Sequence, residues 1–142
     1  MSESGEGGVW ATGPAGGDEP PAFGLGLLKV PVLSVETAST WYVDVLGCAL
    51  VFVVGEYGWA QLQAGDLPLS LYQPGLGGGD GTPGGSTGFH LTLDGPAFDA
   101  LAARLDAAGD LVDGKVHTAD DGGTFLEARD PDGNTVKVAR VG

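Results

Sequence analysis

Cysteine occurs once in the 142 residues, at Cys48, so no disulfide forms within the chain and no cysteine-rich metal site exists. Basic residues are also scarce: six Lys and Arg stand against 19 Asp and Glu, a formal charge of -13. With so few cations to replace phosphate counterions, nucleic-acid binding is disfavoured. The acid excess has two readings, solubility and a cleft that attracts a cationic small molecule. No apolar run approaches the roughly 20 residues that span a bilayer. No positively charged segment precedes an apolar one as in a signal peptide. The expectation is a cytoplasmic protein without membrane contact. What the chain does have is glycine, 27 residues of it, and a hydrophobic fraction of 42%. This length and composition suit one domain with its own core.

The glycines are unevenly placed. Residues 1–23 are rich in Gly, Pro, Ser and Glu, with Val9-Trp10 the one sizeable apolar pair, and read as a flexible tail. Pro74 to Thr87 carries seven glycines in fourteen residues and excludes regular structure. It reads as a linker over 74–86, either a tether or a lid.

Around that linker the chain repeats an order of elements. In the first half, Leu25 to Val32 is an apolar strand ending near Pro31. Ser34 caps a helix from Val35 to Leu46, with Ala38, Trp41, Tyr42 and Val45 on one face and Gly47 as its stop. Leu50 to Val54 is a strand. A hairpin then joins Gly58–Gln63 to Leu67–Tyr72 through Ala64-Gly65-Asp66. In the second half, Thr87 to Leu93 is a strand and Asp94-Gly95-Pro96 opens a helix with Phe98, Leu101, Leu105 and Ala108 as its stripe. Leu111 to Thr118 is a strand. The last hairpin joins Thr124–Arg129 to Thr135–Arg140 through Asp130-Pro131-Asp132-Gly133-Asn134, where Pro131 fixes φ and Gly133 takes φ > 0. The helix starts lie about 61 residues apart and the hairpins about 66. The expected architecture is α+β: two tandem βαβββ modules, about 24–73 and 87–141, within one domain spanning 24–142, forming a curved sheet with a central groove.

Three stretches carry a resemblance: Thr40-Trp41-Tyr42-Val43-Asp44-Val45-Leu46-Gly47, Gly88-Phe89-His90-Leu91 and Asp130-Pro131-Asp132-Gly133-Asn134. In this order they resemble the vicinal oxygen chelate superfamily of glyoxalases, bleomycin-resistance proteins, fosfomycin-resistance enzymes and extradiol dioxygenases. The resemblance runs from about Leu25 to Arg140. It implies a site between the modules and, in the enzymes, a divalent metal held by the first and last strands of each half. Carried over by position, those places are Leu27, Ser70, His90 and Lys137. Only His90 is a good ligand, and a shift to Lys29 does not help, whereas a catalytic metal takes about three protein ligands. The expectation is no metal and no cofactor.

Strand alternation supplies the groove lining. Inward-facing residues are Trp59, Gln61, Gln63, Pro68, Ser70 and Tyr72 from the first hairpin. From the second they are Phe125, Glu127, Arg129, Thr135, Lys137 and Ala139, with Lys29, His90 and Thr92 from the first strands. Leu62, Leu69, Leu71, Leu91, Val136 and Val138 then face the helices. The candidate ligand-binding set is Trp59, Gln61, Tyr72, His90, Phe125, Glu127, Arg129 and Lys137, aromatic faces with a few polar groups as a small-molecule pocket requires. Bland readings stand beside it. Trp59 and Phe125 suit a core or a dimer interface, Glu127 suits a cross-strand ion pair with Lys137 or Arg129, His90 suits an inert residue of the fold, and Trp41 and Tyr42 suit the core. His117 is expected at an exposed strand end.

Three functions compete. The first is a metal-free binding protein similar to the bleomycin-resistance type, a homodimer sequestering an antibiotic or other natural product. The second is a metal-independent isomerase, epimerase or cyclase with His90 or Glu127 as acid–base group and Lys137 or Arg129 stabilising an anion. The third is an interaction module with no small ligand.

Overall fold

A computed structural model describes residues 19–142; most of the tail expected over 1–23 lies outside the described residues. The first half runs through β1 (Leu28–Pro31), α1 (Val35–Trp41), β2 (Ala49–Val54), β3 (Trp59–Ala64) and β4 (Leu67–Tyr72). The second runs through β5 (Ser86–Asp94), α2 (Gly95–Ala108), β6 (His117–Thr118), β7 (Thr124–Arg129) and β8 (Thr135–Val141). Two four-stranded sheets result, in the orders β1-β4-β3-β2 and β5-β8-β7-β6. In each sheet the first strand of the half pairs in parallel with the last, and the remaining pairs are antiparallel. The repeated βαβββ order is the one the sequence predicts.

Local chemistry accounts for the helix ends. Ser34 accepts from the Thr37 amide and Asp94 from the Ala97 amide, and each satisfies an orphan donor of its first turn. Gly47 and Gly109 close the two helices in the left-handed region, at φ 96 and 76. The helix expected over Val35–Leu46 is α-helical only to Trp41; Tyr42–Leu46 forms one wider π turn. This loosened turn keeps the neighbours Trp41 and Tyr42 both buried. Trp41 donates through Nε1 to Asp110 Oδ2 at 2.8 Å, and the Tyr42 hydroxyl donates to Asp130 Oδ2 at 2.8 Å.

One expected strand is mostly lost. Across Leu111–Thr118 the chain makes an isolated bridge from Leu111 to Ala128 and a short 3-10 turn at Val112–Gly114, and only His117–Thr118 forms a strand. Asp113 and Gly114 sit at φ 61 and 67, left-handed backbone that interrupts the pleat.

The core confirms the strand phase. Leu62, Leu69, Leu71, Val136 and Val138 are buried with Phe98, Leu101 and Leu105 of α2 and Val35 and Ala38 of α1, and Leu91 packs against them. One apolar cluster spans both halves, and a polar joint closes beside it. The Asp130–Asn134 turn docks on the first half: Asn134 Nδ2 donates to Pro31 O at 2.9 Å, and Leu33 N donates to Asp132 Oδ2 at 3.1 Å.

Of the linker expected over 74–86, residues 74–85 have no helix or strand and Ser86 already belongs to β5; the linker is docked on the first sheet and on the Asp130–Asn134 turn. Tyr72 donates to Asp80 O at 2.6 Å, Lys29 Nζ donates to Gly78 O, and Gly84 N donates to Asn134 Oδ1 at 2.7 Å. A Cβ at Gly81 would lie 2.6 Å from the Tyr72 hydroxyl, so this close passage requires glycine.

Burial and the Asp130 carboxylate push the Tyr42 phenol well above its ordinary 10.0, and burial pushes the Cys48 thiol from 9.0 up to about 11. Both stay protonated in the folded chain after the unfolded chain has let go. Their stabilising contributions are full at lower pH and are lost as pH rises past the unfolded values, by at most about 1.4 kcal/mol per pH unit for each group. Urea denaturation from pH 8 to 10.5 is expected to show falling stability, with a flatter fall in Tyr42→Phe and an unchanged one in Tyr57→Phe, which alters an exposed ring.

Candidate functional site

On the first sheet, the face away from the core carries Lys29, Trp59, Gln61 and Tyr72. The register sets Trp59 opposite Tyr72, and Gln61 opposite Ser70. Ser70 is fully buried and donates to Gln61 Oε1 at 2.7 Å, which aims the amide. The Lys29 ammonium lies 4.7 Å from the centre of the Tyr72 ring. Its bond to Gly78 O and the Tyr72 bond to Asp80 O strap the linker across this end of the face.

On the second sheet, Glu127 stands opposite Lys137, and Lys137 opposite His90, so the three form a row across β7, β8 and β5. Phe125 faces Ala139, whose small side chain leaves space on that side of its ring. The Lys137 ammonium uses that space, 4.4 Å from the ring centre. Arg129 lies exposed at the end of the same strand. Among the described residues the cross-strand ion pair weighed for Glu127 with Lys137 or Arg129 does not form. His117 is also a correction. It is half-buried, stacked on Phe125 with centroids 5.3 Å apart and planes at 19°, and its Nε2 lies 3.4 Å from Asp113. Pairing of His117 with Phe125 across β6 and β7 is the signal that would have found it, but a two-residue strand carries no alternation to read.

The structure thus brings Trp59, Gln61 and Tyr72 together on one face, and His90, Phe125, Glu127, Arg129 and Lys137 on another. No strand of one sheet pairs with a strand of the other. A cavity of about 450 Å³ opens between the halves, walled by Cys48, Ala64, Leu67, Leu93 and Leu101, and of the eight candidates it takes only His90. It is the counterpart of the Asp130 joint. Ala64 and Leu67 follow the first hairpin's Gln63–Pro68 pair as Asp130 and Asn134 adjoin the second hairpin's Arg129–Thr135 pair. Small and apolar groups leave open on one side what a polar turn fills on the other.

The register also corrects the position set for a metal. Lys29, not Leu27, stands opposite Ser70 as His90 stands opposite Lys137. Two ammonium groups, a hydroxyl and one imidazole do not fit a divalent cation. Among the described residues, no three His, Cys, Asp or Glu side chains gather where they could hold one.

The profile of the Glyoxalase/Bleomycin resistance protein/Dioxygenase superfamily matches residues 24–138. The chain belongs to this family. Similar solved structures include a lactoylglutathione lyase from Agrobacterium tumefaciens, 22% identical, with a TM-score of 0.66 over 86% of this chain and 96% of that one. A superfamily member from Sphaerobacter thermophilus is 21% identical, with a TM-score of 0.69 over 84% and 98%. An integron cassette protein from the mobile metagenome of V. cholerae is 22% identical, with a TM-score of 0.61 over 87% and 99%. At such identities the likeness shows the fold alone. No curated protein sequence matches the chain.

The donor set generates a direct test. Protein purified without chelator is expected to carry well under one equivalent of zinc, nickel, iron or manganese by plasma mass spectrometry, with no change in His90→Ala. Near-stoichiometric metal lost in His90→Ala would contradict this reading of the family's metal positions.

Proposed function

We propose that this family member is a metal-free small-molecule-binding protein, of the bleomycin-resistance type, that holds an antibiotic or other natural product intact. The observation that carries the reading is the pair of sheet faces. Each combines aromatic rings with polar side chains at positions whose residues do not fit a metal; on the first face Gln61, Lys29 and Tyr72 are bonded within the fold, whereas on the second no ion pair among the described residues engages Glu127, Arg129 or Lys137. Aromatic surface supplies affinity, and Gln61, His90, Glu127, Arg129 and Lys137 supply orientation.

The protein acts as a homodimer in which the first face of one chain opposes the second face of its partner, so that each groove uses both chains. Support comes from the separation of the two faces onto separate sheets. It also comes from β2, an edge strand whose Leu50, Val51 and Phe52 are 50%, 57% and 46% exposed. Such a bare apolar edge invites pairing with another chain. The site of action is the cytoplasm; no helix among the described residues is long and apolar enough to cross a membrane.

A second reading rests on the Glu127–Lys137–His90 row, which is an acid, a cation and a base side by side. On that reading the protein is a cofactor-free isomerase, epimerase or cyclase in which His90 or Glu127 moves a proton and Lys137 steadies the anion. A tryptophan-fluorescence screen of planar aromatic natural products, with product analysis, separates the two. The expected outcome is quenching of Trp59 by a ligand recovered unchanged, with affinity lowered about tenfold or more in Phe125→Ala. Conversion of the ligand, abolished in His90→Ala, would overturn sequestration in favour of the enzyme. Quenching by none of the compounds would count against both.

A further inference from the structure

The chain has six Lys and Arg residues against 19 acids, and their placement is uneven. Arg104 donates to Val45 O at 2.9 Å, and Arg140 lies 3.6 Å from the Asp99 carboxylate. Lys115 is exposed on the loop before β6. The other three, Lys29, Arg129 and Lys137, occupy the two sheet faces described above, with His90 beside Lys137. Glu127 is the one carboxylate among the inward-facing positions. Among the described residues no carboxylate comes within ion-pair distance of Lys29, Arg129 or Lys137. In a chain with acids in threefold excess, half of the cations lie on these two faces, and among the described residues none of the three forms an ion pair, although Glu127 stands opposite Lys137.

We propose that the ligand of these faces is an aromatic carboxylate, its ring beside the half-buried Phe125 and its anion at Lys137; Tyr72, buried beneath the linker, positions Lys29 but offers no open ring. The proposal rests on the small-molecule reading just given and specifies its chemistry. The same device occurs once on each sheet: Lys29 lies over Tyr72 at 4.7 Å and Lys137 over Phe125 at 4.4 Å. A ring beneath an ammonium fixes its position through the ring quadrupole while leaving N–H donors free for an acceptor. Lys29 spends one donor on Gly78 O, which a carboxylate could share. His90 and Arg129 add further donors at the Lys137 site, and a guanidinium suits a carboxylate in particular.

The net charge of -13 argues for a cation instead, and distance decides between them. At physiological ionic strength the Debye length is about 8 Å, so most surface carboxylates act on a bound ligand only through screening. A carboxylate at hydrogen-bond distance from Lys137 meets that charge nearly unscreened. The overall charge slows the anion's approach; the local cations determine which ion stays bound.

The test uses three probes with one aromatic body: 2-naphthoate, 2-naphthylmethanol and 2-naphthylmethylammonium. Each is titrated into the full chain by calorimetry. Naphthoate is expected to bind about tenfold or more tighter than the ammonium, and less tightly as salt is raised. Lys137→Met keeps the aliphatic stem over Phe125 and is expected to erase most of that preference while leaving the alcohol unchanged; Lys115→Met is expected to alter nothing. Tighter binding of the ammonium, or a preference that survives both Lys137→Met and Lys29→Met, would overturn the proposal while leaving the small-molecule reading intact. Binding of none of the three would overturn both.

Discussion

The Asp130 carboxylate accepts four hydrogen bonds. Oδ1 takes the amides of Asp132 and Asn134, both at 2.9 Å, and Oδ2 takes the Tyr42 hydroxyl and the Asn134 side-chain amide, both at 2.8 Å. The group is 3% exposed, where an unmet carboxylate would cost several kcal/mol. Filling its acceptor positions makes the burial tolerable and makes each partner hard to remove. The partners come from distant parts of the chain. Tyr42 belongs to the first half, and Asn134 passes the network on to Pro31 at the end of β1 and to Gly84 in the linker. Helix end, first strand, linker and final hairpin are thereby held at one point, and the two sheets are placed relative to each other.

The repeat makes this joint asymmetric. A five-residue turn reaches across on one side, while the three-residue Ala64-Gly65-Asp66 turn leaves a cavity on the other. The faces diverge in the same way: the linker straps the Lys29–Tyr72 end of the first, whereas Phe125 and Lys137 on the second have no such cover. Two halves with one repeated pattern thus carry different surfaces.

The fold was largely legible because it rests on local signals. Alternation phased the hairpin strands β3, β4, β7 and β8, Ser34 and Asp94 announced the helix starts, and Gly47 announced the first stop. The Asp-Pro-Asp-Gly-Asn run was legible as a turn, but the role of its first side chain was not, because Tyr42 lies 88 positions away in sequence. Other misses share that cause. The π turn at Tyr42–Leu46 answers to two carboxylates contacted by neighbouring residues, half-buried Asp110 and buried Asp130, which helical periodicity does not register. Left-handed Asp113 broke an apolar run that read as strand. Parallel pairing, set across the sheet and not along it, put Lys29 in the place assigned to Leu27. The candidate site was legible as a list of inward residues. Its division into two faces, and the choice of rings by the lysines, depend on tertiary geometry.

Tyr42 and Asp130 hold the halves together as a coupled pair. A double-mutant cycle with Tyr42→Phe, Asp130→Ala and the double variant, read by urea denaturation at pH 7, measures that coupling directly. Each single variant is expected to destabilise the protein, with a coupling energy of about 1–3 kcal/mol between them. Additive effects, with coupling near zero, would contradict that role of the pair.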